Sequence, residues 1–170
     1  VDDNTQLKRI EALQSQSLGD LFPHFIAFNR QENCALYHFV DGEVCSVIDS
    51  DVIAVLSASL TSLARLPKKP VNLPTVNLIE VIESLATELS SHVSFNFAAI
   101  ERSVERINAT SSLNRLCHGD LNLSNIVQVN GSESLSIIDW DFACLAPFEY
   151  EIAMTSSINC LSFEQTDRVI

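Results

Sequence analysis

Five side chains able to do polar chemistry, His118, Asp120, Asn125, Asp139 and Asp141, fall in two short segments, residues 116–127 and 137–143. Between them lie two β-like apolar runs, 126–129 and 135–138, around Asn130-Gly131, a strong short-range hairpin signal. If the runs pair, Asn125 at the head of one strand and Asp139 at the end of the other share one end of the hairpin. Two oxygen donors converging there suit a hard cation such as Mg2+, which takes few protein ligands and completes its shell with water and phosphate. Asp120, five residues before Asn125 in an irregular loop, is then placed to stand beside the cation and accept a proton from a hydroxyl. Taken singly, Asp120, Asn125 and Asp139 have a plainer reading as turn-capping side chains.

The elements that must carry these residues follow from hydrophobic period. Residues 7–18, with Leu7, Ile10, Leu13 and Leu18 interleaved with charge, predict an amphipathic helix stopped by Gly19-Asp20. Two apolar, aromatic runs, 23–28 and 34–40, separated by polar residues, predict a β-hairpin that ends at Asp41-Gly42-Glu43. Val52, Ile53, Leu56, Leu60 and Leu63 then recur at helical spacing behind the caps Asp49 and Ser50. Residues 66–70 and Pro74 break that helix, and two more are predicted around 78–89 and 100–107. After the second hairpin, Pro147 to Met154 predict a loop and the start of another helix. Trp140, Phe142 and Phe148 are read as core or wall aromatics, although a Trp face also suits a quaternary ammonium.

Composition narrows the function classes. Ten Lys plus Arg against 22 Asp plus Glu give a net charge of −12 over 170 residues, which repels a phosphate backbone and argues against nucleic-acid binding. The same field favours cationic ligands. Five scattered cysteines without zinc spacing are expected to be reduced core thiols. No apolar run reaches the ~18 residues of a membrane span, and the start Val1-Asp2-Asp3-Asn4-Thr5 is unlike a secretory signal, so no membrane and a cytoplasmic address are expected. A helix-first start without Met leads us to expect that the chain is part of a longer protein. Nothing in the pattern gives an oligomeric state.

His118-Gly119-Asp120-x-x-x-x-Asn125 followed by Ile138-Asp139-Trp140-Asp141 resembles the aminoglycoside phosphotransferase and choline kinase family, a relative of the protein kinases in fold. The resemblance extends to Tyr150-Glu151-Ile152-Ala153, to a lobe-connecting hinge at 37–43 and to the helix carrying Glu11. It implies an α+β, protein-kinase-like two-lobed fold. Residues 1–41 would be the remainder of an incomplete N-terminal lobe, and 42–170 a mainly helical C-terminal lobe carrying the catalytic β-hairpin. It also implies ATP-dependent phosphoryl transfer to a hydroxyl of a small molecule such as choline, thiamine or an aminoglycoside, with a slight lean to the choline and thiamine branch. In that reading Asp120 is the catalytic base, and Asn125 and Asp139 hold Mg2+. Hinge backbone at His38, Phe39 and Val40 holds the adenine, with Phe39 and Val40 as apolar contacts. His118 braces the loop, Asp141 adds to the metal site or caps a turn, and Glu11 is either a Lys partner or a solvated helix residue.

Two departures weigh against a complete nucleotide site. No strand carrying a Lys precedes the Glu11 helix, and the Gly-rich strand pair over the phosphates is missing. A catalytically inactive kinase-like binding module is therefore the competing expectation, and a phosphohydrolase using water as acceptor is the third. A protein kinase fits less well, because Gly119 stands where that loop has Arg.

Overall fold

The computed structural model describes residues 3–15, 18–45, 50–66, 72–89, 96–110 and 114–170. Helix α1 (Asp3–Gln14) ends before the expected stop, and Gly19 instead opens a 3-10 turn with φ at +57°. Strands β1 (Phe25–Asn29) and β2 (Cys34–Tyr37) form the expected antiparallel hairpin, with Phe25 opposite Tyr37. Asn29 closes its polar loop, because Oδ1 accepts the N–H groups of Gln31 and Glu32 at 2.9 and 3.3 Å.

Helix α2 (Ser50–Arg65) is the helix that the period predicts, since Val52, Ile53, Leu56, Leu60 and Leu63 are all buried along one face. Arg115 donates from Nη1 to the Ala64 carbonyl, which satisfies one of the helix's unpaired C-terminal carbonyls. Helices α3 (Leu78–Leu89) and α4 (Phe97–Thr110) follow. The expected cap Asp49 and the breaker segment 67–70 lie outside the described residues.

Three short strands escape the sequence reading. Gly42–Val44, taken there as the end of a hairpin, is strand β3, and it pairs antiparallel with β5 (Ile126–Val129), Gly42 opposite Val129. Strand β4 (Arg115–Cys117) pairs with the later strand β7 (Cys144–Ala146). Each spans three residues and finds its partner far along the chain, so none has enough length to display a period of two. The expected catalytic hairpin is present: β5 pairs with β6 (Leu135–Ile137), Ile126 opposite Ile137. The helix begun near Pro147 is α5 (Phe148–Ile158), and a further helix, α6 (Phe163–Val169), starts on a Ser162–Gln165 capping box.

One buried cluster joins Leu13 and Leu18 to Leu56 and Leu63 of α2 and to Leu121, Ile126, Ile137 and Trp140. Cys117 and Cys144 face each other across β4–β7 in a smaller buried cluster. The expectation of core thiols is corrected for Cys34 and Cys160, which are exposed because one opens an edge strand and the other follows the end of α5. No helix among the described residues is long and apolar enough to cross a membrane.

Gly42 lies where β3 crosses β5, and a Cβ there would meet the Gln128 carbonyl and the Val127 side chain. Gly42→Ala is expected to cost about 1–3 kcal/mol by forcing the strands apart. Urea denaturation would show this as a lower midpoint with an unchanged slope.

Candidate active site

The loop between β4 and β5 holds the first motif. His118 is fully buried, and its Nε2 lies 2.9 Å from the Ile138 carbonyl. A carbonyl only accepts, so Nε2 carries the proton and Nδ1 is left to accept the Asp120 N–H at 3.3 Å. Burial pushes the imidazole pKa down, which keeps this ring neutral and suits it to bracing. Its ring packs edge-on against Trp140 at 4.8 Å.

Gly119 has φ at +81°, and a Cβ there would stand 2.5 Å from the Phe142 carbonyl oxygen, so only glycine fits. Its N–H donates to Glu151 Oε2 at 3.0 Å. Asp120 and Asn125 are brought together. The Asn125 amide nitrogen donates to the Asp120 carbonyl at 3.0 Å and approaches Asp120 Oδ2 at 3.4 Å. That orientation turns Asn125 Oδ1 away from Asp120 as an available donor to a cation. Across the hairpin, the Ile138 N–H donates to the Asn125 carbonyl at 2.9 Å, which sets the residue before Asp139 beside Asn125.

Asp139 itself is in the left-handed region (φ 59°, ψ 62°) at the start of a 3-10 turn. Trp140 is buried, its Nε1 donating to the Ile137 carbonyl at 2.6 Å, so the indole is a core group. Asp141 is exposed and accepts from Gln6 Nε2 at 3.4 Å. Burial and, second, the Asp141 charge push the Tyr37 hydroxyl up to about 12.

A cleft of about 620 Å³ runs between the two sequence regions that the motifs single out. His38, Phe39 and Val40 line one side, and Ile138, Asp139 and Asp141 the other. Asp120 and Asn125 stand outside this lining, beside each other. The His38 N–H is already used by the His24 carbonyl at 2.8 Å, so the backbone N–H groups of Phe39 and Val40 are the hinge donors without a described partner. Phe39 is 90% exposed. Glu11 is also exposed and lines no part of the cleft, whereas Gln6 of the same helix does. A second cavity of about 690 Å³ backs onto Phe22, Pro23 and Val40 from the other side, and it contains none of the motif's carboxylates.

The donor set fits Mg2+. Asn125 Oδ1 and the Asp139 carboxylate are hard oxygen donors, and among the described residues no three His, Cys, Asp or Glu side chains gather as a softer metal cage. No Lys or Arg lines the cleft among the described residues.

Two supporting residues were not singled out by the sequence reading. Glu151 appears there only as part of a family string, yet it is the buried acceptor for Gly119 N–H. Asn159, the C-cap of α5, went unremarked, although it follows Glu151 by eight residues, about two helical turns.

A sequence model of the phosphotransferase enzyme family matches residues 27–169. Among solved structures, a choline/ethanolamine kinase family protein from Mesorhizobium loti superposes with a TM-score of 0.64 at 12% identity, covering 98% of this chain and 57% of that one. Choline kinase LicA from Streptococcus pneumoniae, also solved in complex with AMP, gives 0.67 at 13% identity, over 99% of this chain and 61% of that one. An aminoglycoside-3'-phosphotransferase of type VIII gives 0.61 at 14% identity, over 97% and 70%. The fold is thus the protein-kinase-like one, and the chain spans about three fifths of the two choline kinase relatives. No match is found among curated proteins.

Burial raises the Glu151 carboxyl from 4.5 to about 7, with the Gly119 N–H pulling it partly back. A carboxyl raised in the folded state stabilises the fold most when protonated, below about 4.5, and that contribution is lost as pH rises through about 7. Between pH 5 and 8 the protein should therefore lose stability relative to Glu151→Gln, by up to about 3 kcal/mol, as read by urea denaturation at each pH.

Proposed function

The chain belongs to the phosphotransferase enzyme family, and from that premise we propose that it transfers the γ-phosphoryl group of ATP to a hydroxyl of a small molecule. The observation that carries this reading is the pairing of Asp120 with Asn125 through the amide nitrogen, with Ile138, the residue before Asp139, hydrogen-bonded to the Asn125 carbonyl. A base and two oxygen ligands at one end of a hairpin are what in-line transfer to an alcohol needs.

In this reading the Asp120 carboxylate takes the hydroxyl proton as the oxygen attacks. Asn125 and Asp139 would hold Mg2+, which supplies charge neutralisation at the phosphates. The N–H groups of Phe39 and Val40 offer the donors for the adenine edge, and Val40 with Ile138 offers apolar walls. Neutral His118 keeps its proton, because that proton is committed to the Ile138 carbonyl. The exposed carboxylates Asp139 and Asp141 and the net charge of −12 favour a cationic acceptor, in the manner of choline, thiamine or an aminoglycoside. A cytoplasmic setting, where ATP is supplied, and a division into a nucleotide-binding part up to residue 41 and a catalytic part after it belong to the same proposal.

The second reading is a kinase-like module that binds without turnover. The absence of Lys from the cleft lining among the described residues favours it.

Release of ADP from Mg-ATP by the full-length protein, across choline, ethanolamine, thiamine and several aminoglycosides, separates the two. Acceptor-dependent turnover is expected, with Asp120→Asn slowing it by about 10²–10⁴-fold, the range for a lost general base. Phosphate release at the same rate without acceptor would point to a hydrolase, and a folded protein binding nucleotide with no turnover on any acceptor would favour the module.

A further inference from the structure

Helix α5 and its C-cap present three buried polar side chains four residues apart, Glu151, Thr155 and Asn159, at 0%, 0% and 6% exposure. Spacing of four puts them on one face. Glu151 grips the loop on the N-terminal side of Asp120, through Gly119. Asn159 grips it on the other side. Its Oδ1 accepts the Leu123 N–H at 3.0 Å, and its Nδ2 donates to the Leu121 carbonyl at 2.9 Å and to the Thr155 carbonyl at 2.8 Å. The bond to Thr155 alone would serve the end of α5. The two others reach into the middle of the segment that separates Asp120 from Asn125.

Resting on the phosphotransferase reading above, we propose that Asn159 is a positioning residue: by clamping Leu121 and Leu123 it sets the placement of Asn125 relative to Asp120. Only four residues lie between those two. The turn they make is closed inside by the Asn122 N–H on the Asp120 carbonyl at 2.7 Å and by the Ser124 N–H on Asn122 Oδ1 at 3.1 Å. The side chains of Leu121 and Leu123 are buried at 0% and 7% exposure, so water is poorly placed to replace Asn159 on their backbone groups. Without the clamp the buried N–H and C=O lose their partners, and the segment must shift to find others. A shift of about 1 Å between base and metal ligand is enough to cost about 10²-fold in rate.

The test uses the full-length protein with Asn159→Ala and Asn159→Asp, the latter keeping an acceptor for Leu123 N–H but losing the donor to Leu121. ADP affinity is measured by calorimetry with Mg2+ and with EDTA, beside the melting temperature and, with any acceptor that supports turnover, kcat and KM. In the wild type Mg2+ should tighten ADP binding. In Asn159→Ala that Mg2+-dependent tightening should fall about tenfold while the affinity in EDTA stays the same, and kcat should fall about 10²-fold, well beyond any rise in KM for Mg-ATP, which the same weakened Mg2+ site limits to about tenfold. Asn159→Asp should lie between and carries the same test if the Ala variant does not fold. A lowered melting temperature with the Mg2+ effect and kcat of the folded protein intact would mean a purely structural role and would overturn the inference. A wild type that binds no ADP would overturn the phosphotransferase reading and the inference with it.

Discussion

The stretch from His118 to Asn125 is mostly buried, yet beyond a single 3-10 turn at Leu123–Asn125 it is neither helix nor ladder, and that is the constraint the site is built around. Backbone N–H and C=O groups in such a place must be paired, because water cannot reach them. Side chains do the pairing here. Glu151 takes the Gly119 N–H, His118 takes the Asp120 N–H, Asn159 takes a group from each of Leu121 and Leu123, and Asn122 takes the Ser124 N–H. Each bond removes a direction in which the loop could move, so satisfying the backbone and fixing Asp120 are one requirement.

Meeting it with a carboxylate has an electrostatic cost. Glu151 is taken out of water, no described group donates to its Oε1, and its pKa rises accordingly. The first turn of α5 partly offsets this, because its aligned N–H dipoles favour negative charge there. His118 meets the opposite case: burial disfavours its charged form, and the neutral ring has one donor and one acceptor for two backbone partners. Two buried titratable groups thus flank Asp120 and serve as hydrogen-bond fixtures, while Asp139 and Asp141 stay in solvent at the cleft.

What could be read from the sequence followed its local signals. The hairpin around Asn130-Gly131 and the α2 face from Val52 to Leu63 are periodic over enough residues to declare themselves, and the two motifs carry their own spacing. Strands β3, β4 and β7 did not, because each is defined by a distant partner, Val129 for Gly42 of β3 and Ala146 of β7 for Arg115 of β4. The position of Glu11 was a question of helical phase. Ile10 and Leu13 face the core, and Gln6 lies one turn back on their stripe, so Gln6 reaches Asp141 while Glu11, one residue on from Ile10, turns outward. Asn159 gave no local signal of its loop role, since the partners that define it are backbone atoms more than thirty residues away.

The short strand β3 also decides how the two sides of the cleft relate. It follows the hinge directly and pairs with β5, whose neighbour β6 leads into Asp139. The hairpin tip is tied back as well: Asn130 donates its N–H to the Asp41 carbonyl and its side-chain amide to Asp41 Oδ1, both at 3.0 Å. The strand that leaves the hinge and the two strands of the hairpin are therefore one three-stranded sheet. The ladder sets Gly42, two residues after Val40, opposite Val129, and Ile137, two residues before Asp139, opposite Ile126, so each side of the cleft is anchored to the same sheet within two residues. A ligand that engages both sides of the cleft meets anchors that folding has already ordered, which lowers the entropy cost of binding.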